Sequence, residues 1–213
     1  MIKKPLTFHI VHKACFIFFK IFYPFDVENG KSLPKDKGVI VCSNHISNID
    51  PFLINVTQNR MIRFMAKQEL FNNKLSAFAM RGCGAFPVDR GHSGAQALSV
   101  AEDILHEEDC LGIFIEGTRS KTGEFGKPRS GAFRVAFATK KPIIPCCITS
   151  QTVFAKPFKR IKVSFGEPLS CEDLGLIEGT MKEYRAAGQI VMNKISELRE
   201  KQQTEFREQG LIK

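Results

Sequence analysis

The stretch GVIVCSNHISNIDP, Gly38 to Pro51, decides the fold of this chain. Its first half is a short β-branched run bounded by glycine, the pattern of a strand. It closes on Asp50-Pro51, a candidate helix N-cap followed by proline at the first helical position. Strand, turn and helix therefore follow one another in a single short segment. The turn raises a chemical question. On a continuous helix His45 and Asp50, five residues apart, would sit roughly 140° out of phase. A turn between strand and helix can instead fold the carboxylate back toward the imidazole.

The same alternation continues along the chain. MIRFMA (Met61–Ala66), GAFPVD (Gly84–Asp89), LGIFIE (Leu111–Glu116), PIIPCCIT (Pro142–Thr149) and RIKVSFG (Arg160–Gly166) read as strands. Helical sequence separates them: up to Met80, from a cap at Ser93 through Leu98, Ala101 and Leu105, and from Gly131 to Thr139. A closing helix runs from about Glu178 to Phe206, with Met181, Tyr184, Val191, Ile195 and Leu198 on one face and Glu197 four residues before Lys201. Strands alternating with helices predict an α/β fold, a mixed and largely parallel sheet covered by helices. With 213 residues, 43% of them apolar, residues 26–213 are expected to form one domain.

The net charge of +9 is unevenly placed. From Gly117 to Lys162 there are eleven Lys and Arg against one acid, Glu124, whereas from Val163 onward nine acids face seven bases. The basic segment should attract anions. Nucleic acid is not the expected partner, because interleaved aromatic and basic signatures are missing. A nucleotide P-loop is excluded as well, since Gly126-Lys127 runs into Pro128 and Gly30-Lys31-Ser32 lacks the earlier glycine. Seven cysteines, an odd number with no Cys-x-x-Cys pair, argue for reduced thiols rather than a disulfide framework or a zinc site. Cys42, Cys146 and Cys147 fall in strand-like runs, where free cysteine behaves as a small hydrophobe.

Six of the nineteen phenylalanines lie in the first 25 residues. Phe8, Val11, Cys15, Phe18 and Phe22 recur at helical spacing, and Ile10, Ile17 and Ile21 widen the stripe. His9, Lys13 and Lys20 share the opposite face. The apolar run is too short and too broken by lysine to span a bilayer, which takes about 20 apolar residues. Two readings remain: residues 1–25 form an amphipathic helix lying in a membrane interface, or the helix packs on the domain's own core.

Three chemical clusters follow strands: His45 to Asp50, Asp89-Arg90, and Glu116 to Arg119. Functional groups in open α/β sheets collect at such positions. A His-carboxylate pair can serve as a general base, the acid orienting the ring. A hydrogen-bonded structural histidine beside a helix cap would look the same. No nucleophile accompanies the pair. Cys42 should point to the opposite sheet face, and Ser47 has no elbow around it, so the pair would act on a hydroxyl of the substrate. In FIEGTRSKTGEFGKPRSG, Phe114–Gly131, a carboxylate and a glycine precede Arg119 and a run of bases, a composition suited to a phosphate. Two rival readings stand beside this one. Ser93 in GHSGA is one residue short of a Gly-x-Ser-x-Gly elbow, as a serine hydrolase would need. A non-catalytic lipid-binding protein could use the same basic, amphipathic surface.

Asn44-His45 with Asp50-Pro51, then AFPVDR ending at Arg90, then Glu116-Gly117-Thr118-Arg119, then PIIPCCI with Pro145, resemble in order and spacing the four motifs of the glycerolipid acyltransferases. The resemblance is to the bacterial 1-acyl-glycerol-3-phosphate branch and covers nearly the whole chain. It implies an enzyme in which His45 takes the proton of the sn-2 hydroxyl of a lysophosphatidate as that oxygen attacks the thioester of acyl-CoA or acyl-carrier protein. Asp50 would orient His45, and the products would be phosphatidate and a free thiol. Arg119, Lys67 and Arg90 would hold the acceptor phosphate, while Glu116, Gly117 and Thr118 shape the loop. No metal or redox cofactor is implied. The expected location is peripheral, on the cytoplasmic side of the cell membrane, against an anionic surface.

Overall fold

The structure, a computed structural model, describes residues 6–30, 33–88 and 94–212. A helix, α1 (Leu6–Phe22), is followed by strands β1 (Phe25–Glu28) and β2 (Val39–Ser43) and by α2 (Asp50–Val56). Next come β3 (Ile62–Lys67), α3 (Lys74–Gly82), β4 (Phe86–Val88), α4 (Gly94–His106) and β5 (Cys110–Phe114). The chain closes with α5 (Gly131–Thr139), β6 (Ile143–Ser150), β7 (Ile161–Phe165) and α6 (Met181–Glu208). The strands form one sheet in the order β1-β7-β6-β2-β5-β3-β4. Among the described strand pairs, β6/β7 alone is antiparallel. The expected mixed, largely parallel α/β sheet is what the chain forms. β1 carries no apolar run and escaped the sequence reading. It gains strand character by pairing with β7, Phe25 opposite Ile161.

All five residues of β2 are buried, as a central parallel strand covered on both faces requires. Its side chains divide by the two-residue period. Ile40 and Cys42 enter a core with Leu105 of α4, Phe133 of α5 and Val191 of α6. Val39 and Val41 enter a second core with Leu53 and Ile54 of α2 and Phe19 of α1. Helix α6 starts with a capping box, Thr180 and Glu183 each satisfying the other's backbone N–H. Within α6 the expected Glu197–Lys201 pair is replaced: Glu197 pairs with Lys194, and Lys201 reaches Glu28 on β1.

Helix α1 has two apolar faces, one buried on the domain and one exposed. Val11 and Phe19 are buried and Cys15 is half-buried, its Sγ 3.9 Å from that of Cys83 at the end of α3. The half-buried His12 ring makes a 3.1 Å hydrogen bond with the carbonyl of Asn55 on α2. Ile10, Ile17, Phe18, Ile21 and Phe22 point outward, between 39 and 59% exposed. The single stripe expected from the sequence is thus divided, with Val11 and Cys15 turned inward and Phe18 and Phe22 left outside. The side chain of Phe8 is outside the described set. No described helix is long and apolar enough to cross a membrane.

Candidate active site

The C-terminal ends of β2 and β5, adjacent at the centre of the sheet, carry the site. As the β2 backbone turns away after Ser43, Asn44 continues the ladder with its side chain. Its carboxamide accepts from the Ile148 N–H at 2.8 Å and donates to the Ile148 carbonyl at 2.9 Å. The turn that follows brings His45 Nδ1 to 2.7 Å from Asp50 Oδ2. The same oxygen accepts the backbone N–H groups of Ile46 and Ser47, each at 2.7 Å. Asp50 was expected to cap α2. It is instead the first helical residue, and its carboxylate is turned back into the loop, which removes it from the helix end. Three donors on one oxygen are what a wholly buried carboxylate needs. Its Oδ1 finds no hydrogen-bond partner among the described residues. With Nδ1 held against a carboxylate, the basic lone pair belongs to Nε2.

The loop after β5 clamps this turn. The buried Glu116 accepts the His45 N–H through Oε1 (3.3 Å) and the Gly126 N–H through Oε2 (2.7 Å). From the other side the Ser120 N–H donates to the His45 carbonyl at 2.8 Å. Both ends of the histidine's backbone are thereby tied to the basic loop. Gly117, at φ +73°, makes the tight turn that starts it, a conformation L side chains rarely adopt. Beyond the clamp lies an open cleft of about 490 Å³, lined by Ile46, Ser47, Thr118, Arg119, Lys121 and Phe154. The cleft therefore presents two cations beside the histidine turn.

Phe114 completes the surroundings of His45. Its ring stacks on the imidazole with centroids 3.8 Å apart and planes 10° from parallel. The sequence reading placed this phenylalanine only within a buried strand. Ser120 and Phe154 were likewise missed, because a backbone donor and a distant loop leave no motif.

The structure brings His45, Asp50 and Glu116 together and puts Thr118 and Arg119 on the cleft. Lys67, the exposed last residue of β3, lies at the same edge of the sheet, two strands from β2, opposite Val88 of β4. It is not among the cleft residues described. Arg90, Asp89 and Ser93 lie outside the described residues. Cys42 joins the core beneath α4 to α6, on the face away from His45, as expected. Burial pushes its thiol up, so it stays protonated and offers no nucleophile.

The chain is 32% identical over 179 residues to the 1-acyl-sn-glycerol-3-phosphate acyltransferase of Bacillus subtilis, covering 82% of this chain and 88% of that protein. It is 30% identical over 144 residues to the protein of the same name from Streptococcus pneumoniae, 66% of this chain and 53% of the other. Among solved structures, that of the 1-acyl-sn-glycerophosphate (LPA) acyltransferase, PlsC, from Thermotoga maritima superposes with a TM-score of 0.72. It matches 90% of this chain and 79% of the other at 22% identity, a likeness of fold. Residues 24–149, which hold the His45–Asp50 pair and the clamp from Glu116, match the Acyltransferase family, and the chain belongs to it.

Proposed function

We infer that this chain transfers a fatty acyl group from a thioester donor, acyl-CoA or acyl-carrier protein, to the sn-2 hydroxyl of a lysophosphatidate, giving phosphatidate. The observation that carries the reading is the 2.7 Å His45–Asp50 contact held beside a cleft with Arg119 and Lys121 on its wall. Nε2 of His45 takes the hydroxyl proton while the oxygen attacks the thioester carbonyl. Asp50 keeps the proton on Nδ1 and stabilises the imidazolium that forms. The tetrahedral intermediate collapses with loss of the thiolate, which collects the proton from His45. A thiolate, the base of a thiol with pKa about 8.5, leaves without electrophilic help, so the reaction calls for no metal or redox cofactor. Arg119 is assigned to the acceptor phosphate, with Lys67 and Arg90 as further cations for it. A binding protein without catalysis would have no use for a wholly buried carboxylate aimed at an imidazole, a costly arrangement.

The acceptor would come from a membrane, with the enzyme peripheral on its cytoplasmic, anionic face. The outward apolar face of α1 supports this, as does the segment that joins it to the cleft. Phe154 lines the cleft, and four residues on, the exposed Phe158 ring packs against Phe22 at 5.8 Å. The outward face of α1 would serve as the interface, whereas its inner face and Phe25, which opens β1, belong to the core of the catalytic domain, so the division expected at residue 25 does not separate two units. The test incubates purified protein with acyl-CoA or acyl-carrier protein and a panel of lysolipids and glycerol 3-phosphate, following thiol release with product identification. Phosphatidate formed from lysophosphatidate, and lost in His45→Ala, is expected. Thioester hydrolysis without an acylated product, abolished by Ser93→Ala, would refute the reading in favour of a hydrolase.

A further inference from the structure

We propose that Phe114 is a positioning residue for His45, and that the imidazole plane is set by an aromatic stack running back through Phe64 to a glycine footing at Gly112. The proposal rests on the reading of His45 as the base. A hydrogen bond from Nδ1 to Asp50 fixes one point of the ring and leaves the plane free to rock about it. The Nε2 lone pair lies in that plane, so rocking swings it off the hydroxyl it must meet. A flat surface 3.8 Å away and 10° from parallel removes that freedom. Asp50 sets the direction of the ring and Phe114 its tilt.

The stack continues across three neighbouring strands. Phe114 ends β5 opposite Ser43 of β2, two residues before His45. Phe64 lies on β3, opposite Gly112 of β5. Its ring is 5.2 Å from that of Phe114, with planes 24° apart, and is almost wholly buried. Gly112 and Phe114 share a face of β5 by the two-residue period. A Cβ on Gly112 would stand 2.3 Å from two atoms of the Phe64 ring, so the missing side chain is the space in which that ring lies. From Gly112 outward, each ring supports the next, and the last is the histidine. An aliphatic residue at position 114 would fill the volume without offering a plane. The electron-rich aromatic face also favours the imidazolium that forms as the hydroxyl proton arrives.

The test compares Phe114→Leu, Phe114→Tyr and Gly112→Ala in the full chain, measuring kcat, KM for both substrates, thermal melting, and the ring-proton resonances of His45. In the wild type those resonances are expected upfield, shielded by the Phe114 face, a signature read without any substrate. Phe114→Leu should abolish the upfield displacement and lower kcat about ten- to a hundred-fold, as small misplacements of reacting groups do. KM should change less than about two-fold. Phe114→Tyr should restore both kcat and the resonance. In a His45→Ala background Phe114→Leu should cost nothing further, because its effect passes through the ring. Gly112→Ala should reproduce the fall in kcat by displacing Phe64. If Gly112→Ala fails to fold, the two Phe114 variants decide alone. Wild-type kcat in Phe114→Leu, equal losses in the Leu and Tyr variants, or losses that track melting temperature would overturn the proposal. A wild-type protein that transfers no acyl group would instead count against the function, while the resonances still report the stack.

Discussion

Asp50→Asn isolates the charge of the pair at nearly constant shape, and the structure allows its consequences to be worked through. In the wild type one oxygen, Oδ2, accepts from His45 Nδ1 and from the Ile46 and Ser47 N–H groups, while Oδ1 is buried without a partner among the described residues. An asparagine can enter this site in two ways. With its oxygen at the Oδ2 position all three bonds survive as neutral ones, each weaker than a charge-assisted bond by about 1 kcal/mol. The NH₂ then replaces Oδ1, leaving two donors buried and unpaired at a cost of about 1–3 kcal/mol. In the flipped orientation the NH₂ faces two backbone donors and donates a hydrogen bond to the Nδ1 lone pair, which selects the tautomer with its proton on Nε2 and removes the base. Either orientation damages catalysis: the first withdraws the charge that stabilises the imidazolium, and the second selects the wrong tautomer. The expected fall in kcat is about 10²–10⁴. The unpaired amide should also lower the melting temperature by roughly 2–12 °C for a chain of this length. Thiol release from the acyl donor and thermal melting by circular dichroism measure the two effects. A variant within ten-fold of wild-type kcat and unchanged in melting would refute the assignment of Asp50 as the ring's partner.

Arg119→Ala should weaken use of lysophosphatidate by about ten- to a hundred-fold, the worth of a charge-assisted contact of roughly 1.5–3 kcal/mol. The acyl donor should be affected less, and equal losses with a phosphate-free acceptor would contradict the assignment. Changing Phe18 and Phe22 to Ser should release the protein from anionic vesicles in a flotation assay with little change in melting, because both side chains are exposed. The control Phe19→Ser, at a position 3% exposed, should instead lower the melting temperature, and a Phe18/Phe22 variant that floats normally but melts early would reverse the assignment of faces. The fourth expectation concerns Glu28, where burial would raise the carboxyl but the hydrogen bonds from Lys201 and Ser164, with the charge of Lys162, hold it below the ordinary carboxylate range. A depressed folded value means that stability is present above the unfolded value of about 4.3 and lost as pH falls through the folded one. Glu28→Gln should therefore cost a few tenths to about 1 kcal/mol at pH 7 and nothing in acid below that window, and a cost independent of pH would contradict the ion-pair account.

What local sequence determined here is what local chemistry can encode. Buried β-branched runs such as Val39–Val41 pair as central strands wherever they fall, and Gly-rich polar segments between them must turn. The α/β class followed, as did the positions of His45, Asp50 and Glu116 just past strand ends. That α1 would be a helix was legible for the same reason. Which of its apolar residues would be buried was not, because a periodic stripe records that a face is apolar and not what covers it. Only packing against α2 and α3 turned Val11, Cys15 and Phe19 inward and left Phe18 and Phe22 outside. Strand β1 and the Glu28–Lys201 contact depended likewise on partners far along the chain.

The site divides in the same way. That His45 could meet Asp50 was a possibility of one turn, five residues long. That it does, with Ile46 and Ser47 donating to the same oxygen, required the β2 end to be fastened to β6 through Asn44 and to the basic loop through Glu116 and Ser120. These contacts reach across about 70 to 100 residues of sequence. Neither they nor the plane that Phe114 offers to the imidazole leaves a periodicity or a spacing to read. A motif records which groups the chemistry needs. Their distances and planes are set by strands that become neighbours only when β2, β5 and β3 lie side by side in the folded sheet.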